Sequence, residues 1–159
     1  MVCATANQLP IQKHSVDLVL LLDVLYHQAI SSDTGLLKAI HDVLKPQSLL
    51  LITDSACPWL YSAHDRAMHG RERYSIKGLR EKVRGAGYSI LEDGYFNFLL
   101  FPFAVAQRLL SRKSAAVSVS TPPKLLNEAL YKIFSSEAAF LGRIRFPLGL
   151  SVYCVAKTE

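Results

Sequence analysis

Two kinds of apolar block alternate along this chain. The first is the short unbroken run Val16-Asp17-Leu18-Val19-Leu20-Leu21-Leu22, which ends on Asp23. It is too brief for a bilayer span. Lacking polar alternation, it reads as a strand buried on both faces, as in the parallel sheet of an α/β protein. Ser31-Ser32-Asp33 offers N-cap chemistry, and Leu36, Leu37, Ile40, Val43 and Leu44 then recur at helical spacing until Pro46 stops the helix. A second run, Leu49 to Thr53, ends on Asp54. Strand–helix–strand units of this kind are parallel and right-handed.

Ser75 can cap a helix with Ile76, Leu79 and Val83 on one face and Lys77, Arg80, Lys82 and Arg84 on its solvated side. Gly85 and Gly87 end it, and Tyr88 begins a strand that runs to about Phe96. The second kind of block follows. Phe96 to Leu110 is very apolar but short, and Pro102 breaks it. Ser114 to Thr121 reads as a small-residue linker. Pro122-Pro123 opens a helix with Leu125, Leu126, Ala129, Leu130, Ile133 and Phe134 on one face. Helices are expected over Phe98 to Leu110 and Pro123 to Leu141, with their apolar faces toward the mouth of the sheet. Gly149 to Ala156 is the closing strand, expected antiparallel to its neighbours.

Open α/β sheets bind ligands just beyond the carboxyl ends of their strands. Asp23, Val24, Leu25, Tyr26 and His27 occupy that place after the first run. The alternative is an ordinary core strand followed by a loop.

LPIQKHSVDLVLLLDVLYH followed by LLKAIHDVLKPQSLLLIT resembles the middle of a class I S-adenosylmethionine-dependent methyltransferase of the broad type 11 kind. The resemblance is close from Thr5 to about Thr53. It continues more loosely through HDRAMHGRERYS, Gly87-Tyr88 and the final strand. It implies an α/β fold, a Rossmann-like methyltransferase sheet, N-terminally truncated, with a helical lid insert before the last strand. The expected organisation is one partial methyltransferase domain over 1–159 with the lid insert at 97–141 inside it. The implied activity is methyl transfer from S-adenosylmethionine to an unidentified small-molecule acceptor, hydrophobic or lipid-like because the lid is greasy. The rival expectation is a non-catalytic remnant or interaction module that needs a missing N-terminal half or a partner chain.

The resemblance also assigns residues. Thr5 and Ala6 would lie in the loop that passes the adenine ring, and Asp23, Val24 and Leu25 would complete the cofactor wall. The alternative for the opening residues is a frayed terminus. The segment after the second strand would lie over the substrate mouth. There His27, His64 or His69 could take a proton from the acceptor, and Arg71 and Arg73 could hold an anionic group. Trp59 and Tyr74 complete the expected substrate contacts. The alternative is that Asp65 and Arg73 simply pin this loop to the next helix.

The chain departs from the family pattern in places. The glycine-rich turn that wraps the methionine end of the cofactor and the acid that grips the ribose would both precede Met1. The family's VLKPGG reads Val43-Leu44-Lys45-Pro46-Gln47-Ser48. Weak or absent cofactor binding by this chain alone is therefore expected. So is an exposed Val16–Leu22 strand edge that invites a homodimer or aggregation.

Composition narrows the rest. At 159 residues, half of them hydrophobic and 19% charged, the chain can bury a core. The net charge of +5 comes without a dense Lys/Arg run, so nucleic-acid binding is not expected. Cys3, Cys57 and Cys154 are few and widely spaced, which fits a reducing compartment and a cytoplasmic protein. His64, Asp65 and His69 match no metal-ligand spacing, and no metal is expected. No transmembrane segment is expected, although the lid's greasiness is compatible with membrane-surface contact.

Overall fold

The computed structural model describes residues 3–6, 8–110, 123–141 and 143–159. The elements run β1 (Val16–Leu22), α1 (Asp33–Val43), β2 (Leu44–Ser55), α2 (Ala63–Ala67), α3 (Ile76–Gly85), β3 (Tyr88–Phe96), α4 (Phe101–Leu110), α5 (Lys124–Ala138) and β4 (Ser151–Thr158). The linker expected at Ser114 to Thr121 lies outside the described residues.

The four strands form one sheet in the order β1-β2-β4-β3. β1 and β2 are parallel, with Leu18 opposite Leu49 and Leu22 opposite Thr53. β4 inserts between β2 and β3 and runs antiparallel to both, as expected for the closing strand. Ser151 pairs with Ser55 on one side and with Phe96 on the other. The carboxyl ends of β1, β2 and β3 therefore share one edge of the sheet. α4 and α5 follow from that edge in sequence.

Each helix starts where its cap chemistry dictates. Ser32 Oγ accepts from Gly35 N–H at the head of α1, and Ser75 Oγ accepts from Gly78 N–H at the head of α3. Leu36, Leu37 and Ile40 of α1 and Leu79 and Val83 of α3 pack into one cluster with Leu21, Leu50, Ile52, Val152, Cys154 and Ala156 of the sheet. That layer covers the face of β2 that carries Leu50 and Ile52. Burial pushes the Cys154 thiol up to about 12, so it remains protonated inside this core.

The opposite face corrects the expectation that β1 is buried on both sides. Leu18, Leu20 and Leu22 are 50%, 52% and 53% exposed, and Leu49 beside them on β2 is also exposed. A seven-residue apolar run satisfies a one-sided and a two-sided strand equally well. Its composition therefore does not reveal which faces are covered.

The segment expected to form a lid differs from expectation in two ways. Pro102 does not break α4 but sits in its first turn, where the missing N–H has no intrahelical partner to lose. α5 stands almost free of the body. Among its residues only Glu137 is buried and Leu130 half-buried. Its apolar face thus does not pack onto the mouth as expected. Its anchor is polar: the Glu137 carboxylate accepts from the N–H groups of Phe98 (3.0 Å) and Leu99 (3.1 Å). Among the described residues no helix is long and apolar enough to cross a membrane.

Candidate active site

Two carboxylates mark the edge where the parallel strands end. Asp23 follows β1 with a left-handed backbone (φ 53°), and Asp54 is the penultimate residue of β2. Asp54 is fully buried. Its Oδ1 accepts from Ser55 N–H at 2.8 Å and its Oδ2 from Tyr26 N–H at 3.1 Å. The carboxylate thereby holds the turn that carries Val24, Leu25 and Tyr26 away from β1. Burial pushes Asp54 up to about 7, and the neighbouring charge of Asp23 adds to the rise; backbone hydrogen bonds from Ser55, Tyr26 and Leu25 oppose it. Burial also raises Asp23 above the ordinary carboxylate range.

Beyond this turn, His27 is half-buried and lies outside the core cluster. Its backbone pairs with Gly70 in an isolated bridge. Its ring lies 5.9 Å from that of His69, centroid to centroid. His69 is exposed, left-handed at φ 57°, and its Nδ1 lies 2.9 Å from Gln28 Nε2. Gly70 is needed because a Cβ there would stand 2.9 Å from Asp65 O and 3.0 Å from the Tyr26 ring. That close approach lets Arg71 N–H donate to Tyr26 O at 2.6 Å. His27 and His69 thus come together. His64 does not join them in any described contact and stands exposed on α2.

Behind the histidines lies a charged cluster. Asp33 is buried. It accepts from Arg71 Nη2 at 2.5 Å, from Tyr74 Oη at 2.9 Å and from Lys82 Nζ. Burial alone would raise its pKa, but these three donors and the Lys82 charge outweigh it and hold the carboxyl below the usual range. Burial, and then the adjoining Asp33 carboxylate, push the Tyr74 hydroxyl far above its ordinary value. Arg71 also reaches Glu72 at 2.7 Å and the carbonyl of Ile30 at 2.7 Å. Arg73 is bound to Asp65 at 2.6 Å and donates to Ala56 O at 3.0 Å. It pins the loop, the alternative left open by the sequence. A cavity of about 370 Å³ opens over this cluster, with Pro58, Tyr61 and Ser75 on its walls. Its cations are all matched by carboxylates within the cluster.

Trp59, 63% exposed, sits on a single 3-10 turn with its ring 6.0 Å from that of Phe101 at the head of α4. Of the cofactor residues expected near the adenine, Ala6 is half-buried against the core, Thr5 is exposed, and Leu25 is fully buried. Leu25 can therefore offer only its backbone. A second, apolar groove of about 370 Å³ lies between the end of β3 and α5, lined by Phe96, Tyr131, Phe134 and Leu141 among others. Sequence reading missed Asp33, Asp54 and Lys82 as parts of the site. The one available signal was the parallel placement of Asp23 and Asp54 at the ends of the two apolar runs.

A family model described as "Methyltransferase domain" matches residues 1–52. No curated protein matches the sequence. Solved structures do. A Haloferax volcanii methyltransferase in complex with its activator protein shares 16% identity at a TM-score of 0.56, over 98% of this chain and 60% of that one. A Haemonchus contortus phosphoethanolamine N-methyltransferase solved with S-adenosyl-L-methionine shares 15% identity at 0.58, over 98% and 36%. The [4+2]-cyclase SpnF shares 16% at 0.57, over 99% and 55%. This chain thus spans between about a third and three-fifths of their lengths. Its fold is that of the class I S-adenosylmethionine-dependent methyltransferases, and the resemblance seen in the sequence is borne out. The presence of a cyclase among them shows that this fold hosts more than one chemistry.

Proposed function

We propose that this chain, with its class I methyltransferase fold, carries the acceptor side and the adenine wall of an S-adenosylmethionine-dependent methyltransferase. The observation that carries this reading is the joint placement of Asp23, the Val24–His27 turn and the paired rings of His27 and His69 at the carboxyl edge of β1 and β2. The residues present fit the adenosine end of the cofactor. Ala6 and Val24 offer half-buried apolar surface, and Asp23 offers an outward carboxylate. When bound, S-adenosylmethionine supplies an electrophilic methyl group on a sulfonium. The protein's work is then mostly positioning. His27 and His69 stand where either imidazole could accept a proton from an acceptor hydroxyl or amine. Asp54 acts through the turn it holds.

The groove lined by Phe96, Phe134 and Leu141 favours a hydrophobic or lipid-like acceptor group. It opens two strand spacings from Asp54, roughly 10 Å across the sheet. The test is a 15N NMR titration of the 159-residue chain with S-adenosylhomocysteine. Amide shifts confined to Ala6 and Asp23 through His27, with an affinity weaker than micromolar, are expected. No shift at millimolar ligand would refute the reading. A second reading is a module completed by another chain, and the exposed leucines of β1 and β2 favour it.

A further inference from the structure

The net charge of the chain is not spread over it. Residues 97–150 contain seven Lys and Arg against two Glu, a balance of +5 that equals the charge of the whole chain, while the remainder is neutral at eleven of each sign. The same segment carries many of the uncovered apolar side chains. Phe103 is 64% exposed, Leu125 82%, Phe140 48% and Ile144 50%. Lys124, Lys132, Arg143 and Arg145 are interleaved with them and exposed. The pieces form one body. Glu137 of α5 caps the loop before α4, the ring of Phe98 in that loop stacks on that of Phe146 at 5.3 Å, and Phe146 bridges back to Tyr95 of β3.

A 15-residue helix with so little packed surface is marginal in water. Something must cover it. The cover must take apolar side chains and positive charge in the same surface. A second copy would meet like charge with like charge. An anionic bilayer surface satisfies both demands: the acyl boundary receives Leu and Phe, and the headgroups receive Lys and Arg. Exposed Trp59 beside Phe101 stands next to this surface and has the amphipathic character of interfacial tryptophans.

We propose that α4, α5 and the 143–148 segment form a docking surface for anionic phospholipid membranes, with the helices lying in the interface rather than crossing it. The side chains that carry this surface, Phe103, Leu125, Phe140 and Ile144, are not among those lining the groove beside α5. Docking would set the carboxyl edge of the sheet at the lipid boundary.

Flotation of the 159-residue chain with extruded vesicles tests it, because an aggregate sinks whereas a lipid-bound chain floats. The chain should float with vesicles of phosphatidylcholine and phosphatidylglycerol at 3:1 and not with phosphatidylcholine alone. Raising salt from 0.1 to 0.5 M should release most of it. The exposed triple change Lys132→Glu, Arg143→Glu, Arg145→Glu should lower the partition about a hundredfold or more, at roughly fivefold per positive charge removed. The conservative triple Lys132→Arg, Arg143→Lys, Arg145→Lys should leave it unchanged. Leu125→Gln with Ile144→Gln should weaken it at constant charge. Equal flotation with neutral and anionic vesicles, no flotation with either, or indifference to charge reversal overturns the proposal. So does self-association through this surface that Leu125→Gln abolishes.

Discussion

Asp54 is the side chain on which the mouth of the sheet depends most directly. Its two oxygens are spent on the amides of Ser55 and Tyr26, and burial sets its proton affinity near neutrality. An acid whose folded pKa lies above its unfolded value keeps its proton in the native state while the unfolded chain has lost it. Stability therefore falls as pH rises from the ordinary carboxylate range near 4 towards about 7, and levels off above. About three pH units correspond to a penalty on the order of 4 kcal/mol. Asp54→Asn cannot ionise, so urea-unfolding free energies of variant and parent, measured from pH 4 to 8, should diverge in the variant's favour as pH rises. Parallel profiles would show that Asp54 is not carrying the penalty. A different residue records a departure from the family pattern. Gln47 stands where the family motif has glycine, and its φ of 64° is the left-handed backbone that glycine adopts at no steric cost. Asp23, Cys57 and His69 share this left-handed state at the mouth. Such backbones are held by surrounding structure and concentrate at functional sites.

Between elements, the join that matters most is polar and was invisible in the sequence. Asp33 begins α1 at the end of the Ser31-Ser32-Asp33 stretch expected to cap it; Ser32 is the cap, and Asp33 turns inward to Arg71 and to Lys82 of α3. These partners lie 38 and 49 positions further along the chain, and no local pattern announces pairs that distant. By contrast β1, α1, β2, α3, β3 and β4 were all legible, because each rests on its own apolar period, cap or glycine stop. The parallel pairing of β1 and β2 was legible because a short strand–helix–strand unit favours it, whereas the insertion of β4 between β2 and β3 was not. α5 was legible as a helix but not as a poorly covered one, since helical periodicity names an apolar face without naming what it meets. The site divides along the same line. His27 and Asp23 followed from their position past a strand end, whereas for Arg73 the sequence left two roles open and the 2.6 Å contact with Asp65 selects the pin. Asp33→Asn should test the join. It leaves two cations facing a neutral amide, and both can still reach water at about a third exposure. The expected cost is therefore the low end for a broken buried pair, about 3 kcal/mol. It should appear as a lower urea midpoint at unchanged m. The stabilisation lost is that of a carboxylate whose folded pKa is depressed. It is present above the ordinary carboxylate pKa and disappears as pH falls through the lowered folded value, so parent and variant should converge in acid. A full difference persisting in strong acid would count against the assignment.

At the scale of the whole molecule, the described residues form a two-layer structure with helices α1 and α3 on one side of the sheet only. Leu18, Leu20 and Leu22 of β1 line the open face together with Leu49 of β2. β1 is also the last strand on its side of the sheet order, so its outer backbone has no strand partner among the described residues. Each feature alone is tolerable; together they place an apolar face beside an unpaired strand edge. The one charge on the strand, Asp17, is engaged by Lys45 of β2 at 2.8 Å and does not guard the outer edge. Exposed edges of this kind add strands from other chains, and natural sheets discourage that with lysine, proline or a bulge. The 159-residue chain should therefore self-associate in a concentration-dependent way through β1. Light scattering behind gel filtration, run from low to high micromolar protein, would show the mass rising with concentration. Leu20→Lys puts a charge in the middle of the open face without touching the core residues Val19 and Leu21. It should bring the mass back to that of a monomer, at a stability cost within about 0.5 kcal/mol because the leucine is half-exposed. The variants Lys132→Glu, Arg143→Glu and Arg145→Glu should leave this association unchanged, because they lie away from β1. A chain that stays monomeric at every concentration, or one whose association survives Leu20→Lys, would mean that the open face of β1 is not the contact.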